Sequence, residues 1–165
     1  MTLQGELVNK IASLERRLSY LETLTRGATE IKFTSVGGFA IRLYNRTGAA
    51  SVKGNLLQPD SATDMGVLLS GANETETVGV FLDSGIADDA LAWVVVGGIA
   101  EVLLDDNTAT TAGNWAQSGG AGYVDGTNAA AVPATHWQEV GHILEDAAAG
   151  GGGTHQMVKI SMHFN

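Results

Sequence analysis

The apolar residues near the start of the chain recur with the spacing of a coiled coil. They follow one another alternately at four and three residues, and the positions between them are mostly polar. This spacing places them on one stripe of an α-helix, the a/d seam of a heptad repeat. The seam residues are Leu7, Ile11, Leu14, Leu18 and Leu21. Because Gly27 is a favourable helix end, the pattern predicts a coiled-coil stalk over residues 1–27.

Charged residues beside the seam indicate how many helices the coiled coil contains. Arg17 and Glu22 occupy g and e positions, and Lys10 and Glu15 repeat the arrangement one heptad earlier. This pattern resembles the known motif of three-stranded coiled coils, in which g of one helix faces e of its neighbour and opposite charges pair. A homotrimer is predicted, with a dimer and a single helix packed on its own domain as alternatives. The predicted oligomerisation residues are Leu7, Lys10, Ile11, Leu14, Glu15, Arg17, Leu18, Leu21 and Glu22.

Beyond the stalk, the helical period gives way to the period of β-strands. Side-chain character alternates over residues 39–44 and 157–165, as in half-buried strands. Two further apolar runs within residues 93–104 are separated by a pair of glycines, and Gly, Asn and Asp clusters separate the segments. The pattern predicts a mainly β domain over residues 28–165, folded as a compact β-barrel or β-sandwich.

A weak internal repeat runs through this β domain. Residues 49–56 align with residues 108–115, and residues 78–83 align with residues 140–145. Each pair of segments is followed by a Gly/Ala/Asp loop and an apolar strand, which indicates two similar β units. Chance similarity in a Gly- and Ala-rich chain is the alternative. The predicted half-repeats are about residues 46–104 and 105–165.

Composition narrows the partners that the β domain can have. The net charge is −9, and charged residues make up only 16% of the chain. The acidic excess lies in residues 31–165, which hold five basic and fourteen acidic side chains. A nucleic-acid surface needs clustered cations, so nucleic acid and anionic membranes are not expected partners. No apolar run is long enough to span a membrane, and the absence of cysteine excludes disulfides and thiolate metal sites.

No set of residues predicts catalysis or a cofactor. The four histidines have no paired-ligand spacing, so surface or interface positions are predicted and no metal site. The acidic pairs at 88–89 and 105–106 match calcium loops in composition but not in ligand order. The protein is therefore predicted not to be an enzyme, with an acidic hydrolase as a remote alternative. Binding of calcium or a glycan by a loop stays open. The histidines are His136, His142, His155 and His163.

Residues 46–165 resemble the capsid decoration, or cement, proteins of tailed bacteriophages. The resemblance rests on the Gly-Asn turns at 54–55 and 113–114 and on the strands at 92–96 and 158–164. It implies a homotrimer that binds the major capsid protein on the outer surface of the phage head and stabilises the shell. The heptad stalk also suits a short head or tail fibre or a receptor-binding module, whose contact region would be the loop at 118–134.

The placement of cations predicts where such a protein would dock. No Lys or Arg lies between Lys53 and Lys159, so the local positive charge of the β domain is confined to its first part. A docking surface is predicted near residues 28–53, with the Gly-rich acidic loops facing solvent. An apolar attachment that is indifferent to charge is the alternative. The predicted docking residues are Lys32, Arg42, Arg46 and Lys53.

Overall fold

A computed structural model describes residues 10–17, 31–125 and 138–163. Residues 10–17 are helical, and no helix among the described residues is long and apolar enough to cross a membrane. The rest of the described chain is built mainly of strands, so the prediction of a mainly β protein is confirmed. The strands are β1 (Ile31–Phe33), β2 (Gly38–Asn45), β3 (Leu56–Pro59), β4 (Gly66–Leu69), β5 (Gly79–Phe81), β6 (Leu91–Leu103), β7 (Trp115–Gly120), β8 (Tyr123–Asp125), β9 (Glu139–Ile143) and β10 (Met157–Met162).

All ten strands belong to one large sheet. Their order is β1-β2-β4-β3-β5-β6-β10-β9-β7-β8, and the sheet curls so that β2 also pairs with β6. The predicted barrel, closed around the whole domain, is wrong: the β2–β6 pairing joins only β2, β4, β3, β5 and β6 into a ring, and the end strands β1 and β8 do not pair among the described residues. The sandwich alternative needs two sheets, whereas these strands form a single one.

The long central strand β6 corrects a second expectation. The glycine pair at 97–98 does not end a strand, since β6 runs without a break from Leu91 to Leu103. The glycines instead allow close approach by β2. A Cβ on Gly97 would collide with the ring of Phe39, and a Cβ on Gly98 would lie 2.6 Å from the carbonyl oxygen of Gly37. Gly98 is therefore required by its φ of +77° and by the close backbone of β2, and at Gly97 the Phe39 ring occupies the space of a side chain.

Apolar side chains form two cores. In β10, Val158, Ile160 and Met162 are buried whereas Lys159 and Ser161 are only partly covered, which confirms the alternation predicted for this strand. The main core comprises Ala40, Leu56, Val80, Val95, Ala100, Val102, Leu104, Ala116, Val124, Val140, Ile143, Val158, Ile160 and Met162. The second core comprises Leu43, Leu57, Val67, Phe81, Ala92 and Val94.

Two turns in the sheet carry the same backbone hydrogen bonds. The N–H of Gly54 donates to the carbonyl of Phe81 (2.9 Å), and the N–H of Phe81 donates to the carbonyl of Asn55 (3.1 Å). At the other turn, the N–H of Gly113 donates to Ile143 (2.8 Å), and the N–H of Ile143 donates to Asn114 (2.9 Å). The strand order is also mirrored, since β4-β3-β5-β6 meets β8-β7-β9-β10 at the β6–β10 pairing. The boundaries of the stalk, the β domain and the half-repeats stay predictions.

Candidate functional site

The described part of the predicted stalk carries its apolar seam on the surface. Ile11 and Leu14 are 47% and 56% exposed. The flanking charged residues are exposed as well: Lys10, Glu15 and Arg17. Four further predicted oligomerisation residues lie outside the described residues: Leu7, Leu18, Leu21 and Glu22. The coiled coil and the homotrimer stay predictions.

Two of the four predicted docking cations are met by carboxylates of the domain. Arg46 contacts Asp89, and its Nε lies 3.7 Å from Oδ2 of Asp60. Nζ of Lys53 lies 2.6 Å from Oε2 of Glu101. Because opposite charges at these distances largely cancel at longer range, Arg46 and Lys53 have little positive charge to offer a partner.

The turn that contains Asp60 favours its ionised form. The backbone N–H of Ala62 donates to Oδ1 of Asp60 at 2.9 Å. This hydrogen bond, one from the Thr63 side chain and the nearby Arg46 guanidinium hold the pKa of Asp60 below its usual value. The carboxylate of Asp60 therefore stays charged to a lower pH than that of an unperturbed Asp, and Arg46 keeps its partner there.

The other two cations lie over one aromatic ring. Arg42 stands directly opposite Trp93 in the β2–β6 ladder, with its Cζ 5.0 Å from the ring centre. Nζ of Lys32 lies 5.7 Å from the same ring centre. Both cations are exposed, and neither forms an ion pair within the part of the chain that the structure describes. Lys32, Arg42 and Trp93 thus form a cation–π cluster at the surface, the cation–tryptophan patch.

The first strand adds an exposed apolar surface on the face opposite Lys32. In β1, Phe33 is 82% exposed and Ile31 is 50% exposed, and Phe39 opposite Phe33 is 41% exposed. Because side chains alternate along a strand, Ile31 and Phe33 share one face and Lys32 lies on the other. This apolar edge (Ile31, Phe33 and Phe39) stands at one end of the sheet order.

A third group of side chains converges near β9 and the end of β10. The Glu139 side chain is fully buried, whereas those of His142 and His163 are 38% and 41% exposed. Nε2 of His163 lies 2.7 Å from Oε1 of Glu139, and Nε2 of His142 lies 3.9 Å from the same oxygen. The Trp115 ring covers one side, with its centre 4.2 Å from that of His142. One ligand atom from each member of this Glu–His–His cluster lies within 4.8 Å of the others, so the three residues could hold a metal ion.

No pattern in the sequence predicted this cluster. Its members come from two strands, and the only local signal is Glu139-x-x-His142, which a regular strand would place on opposite faces. His155 belongs to different surroundings, since its Nδ1 lies 3.0 Å from the carbonyl oxygen of Leu104 and its ring stacks on Tyr123 at 3.8 Å. His136 lies outside the described residues.

The fold is similar to that of one solved phage protein. The crystal structure of the head fibre gp8.5 N base in bacteriophage phi29 superposes with a TM-score of 0.54 at 15% sequence identity. The match covers 75% of this chain and 92% of that chain. No protein-family model and no curated protein matches the sequence. At this level of identity the likeness is one of fold; the decoration type and the trimer stay predictions.

Proposed function

We propose that the protein is a non-enzymatic structural component of a bacteriophage head, attached as a homotrimer to the outer surface of the shell. The observation that carries the proposal is the fold shared with the phi29 head fibre base over most of both chains. It agrees with the resemblance of the sequence to small virion proteins of tailed phages. Two surfaces of the domain support the assembly and the attachment separately.

Exposed apolar residues support self-association. The seam residues Ile11 and Leu14 and the edge residues Ile31 and Phe33 are each about half exposed or more. Apolar surface of this kind is costly to leave in water, and copies of the same chain would cover it around a three-fold axis. Three heptads alone are marginally stable, so the apolar edge would contribute to the same trimer contact.

The cation–tryptophan patch supports attachment to the shell. Its two cations, Lys32 and Arg42, form no ion pair with the described part of the domain, and both lie over the ring of Trp93. Arg and Trp are the residues that most often dominate protein interfaces. We assign the docking surface to Lys32, Arg42 and Trp93, and its partner to an acidic surface of the major capsid protein. Arg46 and Lys53 then stabilise the domain rather than bind.

Matched charge neutralisations test this assignment. Purified wild-type protein is added to heads that lack it, and bound protein is measured after sedimentation. The double variant Lys32→Gln/Arg42→Gln should bind at least about 10-fold more weakly. The control Lys53→Gln/Lys159→Gln removes the same charge elsewhere and should bind as wild type. Equal losses in both variants would show that net charge, not this patch, governs attachment. Native mass spectrometry should give a trimer for all three proteins, and a monomer at micromolar concentration would contradict the assembly.

Two specific roles are compatible with attachment to a head. The first is that of a decoration protein. A decoration protein clamps neighbouring capsid subunits, so heads carrying it should withstand higher temperature before they release their DNA. The second is the base of a short head fibre, which the likeness to the phi29 head fibre base favours. A fibre base would leave the heat resistance of the shell unchanged. Measuring DNA release during heating, with and without bound protein, separates the two roles.

A further inference from the structure

We propose that Glu139, His142 and His163 bind a divalent transition-metal ion of the Zn²⁺ class. The cluster shares no residue with the helix or with the cation–tryptophan patch, and the attachment proposed above does not use it. Four features support the site: a bulge that aligns two of the side chains, ligand distances that suit a small cation, a buried carboxylate, and an open side.

A β-bulge brings Glu139 and His142 to the same face of β9. In the pairing of β7 with β9, Ala116 stands opposite Gly141 but Gln117 stands opposite Glu139, so Val140 is an extra residue in the ladder. An extra residue shifts the alternation by one position, and residues three apart then point the same way. Gly141 permits the close approach, since a Cβ there would collide with the carbonyl oxygen of Ser161 on β10.

The same bulge places His163 beside this face. The carbonyl of Val140 accepts a hydrogen bond from the backbone N–H of His163 at 3.1 Å. This bond lies just beyond the last β9–β10 pair, which joins Gly141 and Met162. His163 is therefore fixed by its backbone next to the bulged residue, and the sheet positions all three ligands.

The ligand atoms are spaced for a small cation. Tetrahedral Zn²⁺ with bonds of about 2.1 Å holds its ligand atoms about 3.4 Å apart. The two measured separations from Oε1 of Glu139, 2.7 Å to His163 and 3.9 Å to His142, lie on either side of that value. The third separation, between the ligand nitrogens of the two imidazoles, is within 4.8 Å. Zn²⁺ sites with three protein ligands keep a further position for water or another ligand.

Charge and ligand type favour a transition metal over calcium. The carboxylate of Glu139, whose side chain is fully buried, would attract a divalent cation placed between the three residues. Two imidazoles with one carboxylate suit Zn²⁺, Ni²⁺ or Cu²⁺, whereas Ca²⁺ and Mg²⁺ prefer a shell of oxygens. The partial exposure of His142 and His163 leaves the site open to ions from solvent.

Isothermal titration of metal-free full-length protein with Zn²⁺ tests the site. One Zn²⁺ should bind per chain, and His142→Gln or His163→Gln should weaken binding by more than about 100-fold, beyond the loss seen for supporting residues around metal sites. His155→Gln is the matched control and should keep wild-type affinity. Wild-type protein that does not saturate at millimolar Zn²⁺ would overturn the proposal, as would His142→Gln with unchanged affinity.

A second measurement covers the case in which a variant does not fold. In NMR spectra of wild-type protein, Zn²⁺ should shift the ring signals of His142 and His163 and the indole signal of the adjacent Trp115. The ring signals of His155 should stay in place. Shifts confined to His155, or spread equally over all histidines, would show nonspecific binding and would contradict the assignment. Unchanged spectra would overturn the proposal.

Discussion

The two four-strand units of the sheet, β3–β6 and β7–β10, share backbone hydrogen bonds but differ in what covers one face. After the first turn, Leu56 follows Asn55 and lies in the main core; after the second, Trp115 follows Asn114 and is only half-buried. Val80, beside Phe81, also lies in the main core, whereas His142 stands at the corresponding place and is 38% exposed.

This difference shows how similar scaffolds can carry different chemistry. The turn hydrogen bonds join backbone groups, so they fix the strands without fixing the side chains that the strands present. In the first unit, the face that holds Leu56 and Val80 is covered by the rest of the sheet and has to be apolar. In the second unit, the matching positions are partly exposed, so Trp115 and His142 can occupy them beside the buried carboxylate of Glu139.

The largest expected effect comes from replacing a glycine that occupies the same position in both units. Gly79 lies two residues before Phe81, and Gly141 lies two residues before Ile143, the residues that hydrogen-bond to the two turns. Gly141→Ala should destabilise the protein by about 3 kcal/mol, because the new Cβ meets rigid backbone at Ser161. Gly79→Ala should destabilise the protein by a smaller amount, about 2 kcal/mol. The closest atom to its new Cβ is a methyl group of Val94, which can move more readily than backbone; the carbonyl oxygen of Val95 is the next closest, at 2.7 Å.

Urea denaturation of the two variants gives both values. Gly151→Ala is the control, because a Cβ at that position meets nothing within 4 Å. A loss below about 1 kcal/mol for Gly141→Ala would show that β9 and β10 are less tightly packed than described here.

A buried side chain on β2 should stabilise the neighbouring first unit and leave the second unit unaffected. Asn45 is fully buried, and its Nδ2 donates to the carbonyls of Ala49 (2.8 Å) and Ile86 (2.9 Å). Asn45→Ala leaves these carbonyls without that donor and should cost about 1–3 kcal/mol.

Amide hydrogen exchange shows whether that loss is local. The N–H of Gly85, which donates to Ser51, should exchange faster in Asn45→Ala, whereas the N–H of Ala147, which donates to Thr110 in the second unit, should not change. Equal acceleration at both amides would mean that the two units open together.

The smallest effect concerns an ion pair of the second unit and depends on pH. Nζ of Lys159 donates to Glu145 at 3.0 Å, and this hydrogen bond, with one from the Lys159 backbone, lowers the pKa of Glu145. A lowered folded-state pKa stabilises the protein above the unfolded pKa of about 4.3, and the contribution disappears as pH falls through the folded value.

Comparison of wild type with Glu145→Gln measures this contribution. Since both side chains are about 40% exposed, the variant should lose less than about 1 kcal/mol at pH 7. The difference in unfolding free energy should shrink towards zero as the pH is lowered through the folded-state pKa. A difference that is constant with pH would show that the carboxylate charge is not involved.

Periodicity was sufficient to predict β2 and β10 but not how the sheet closes. The alternation around Ile160 predicted β10, because one face of that strand packs on the main core and the other does not. The continuity of β6 was not visible, since Gly97 and Gly98 normally interrupt strands and the reason for them is the approach of β2, distant in sequence. Pairing between distant strands likewise decides whether a sheet closes, and no local pattern encodes it.

The candidate sites were also predicted only where their signal is local in the sequence. The charge pattern predicted four docking cations but not that Arg46 and Lys53 meet carboxylates, because Asp89 and Glu101 are distant in sequence. The Glu–His–His cluster was missed because it depends on the extra residue Val140 in the β9 ladder. A glycine between Glu139 and His142 is the one local hint of that bulge.

The length of β6 also affects the order in which the chain can fold during synthesis. Its first part pairs with β2 and β5, which have already left the ribosome, so this part of the sheet can form as soon as β6 emerges. Its last part, from Gly98 to Leu103, pairs with β10 and lacks that partner until β7, β8 and β9 have been made. During that interval the strand presents open backbone groups and the side chains of Ala100 and Val102 to neighbouring nascent chains. Slow translation between β6 and β10 would therefore favour aggregation, and a chaperone that covers this edge would raise the yield of folded protein.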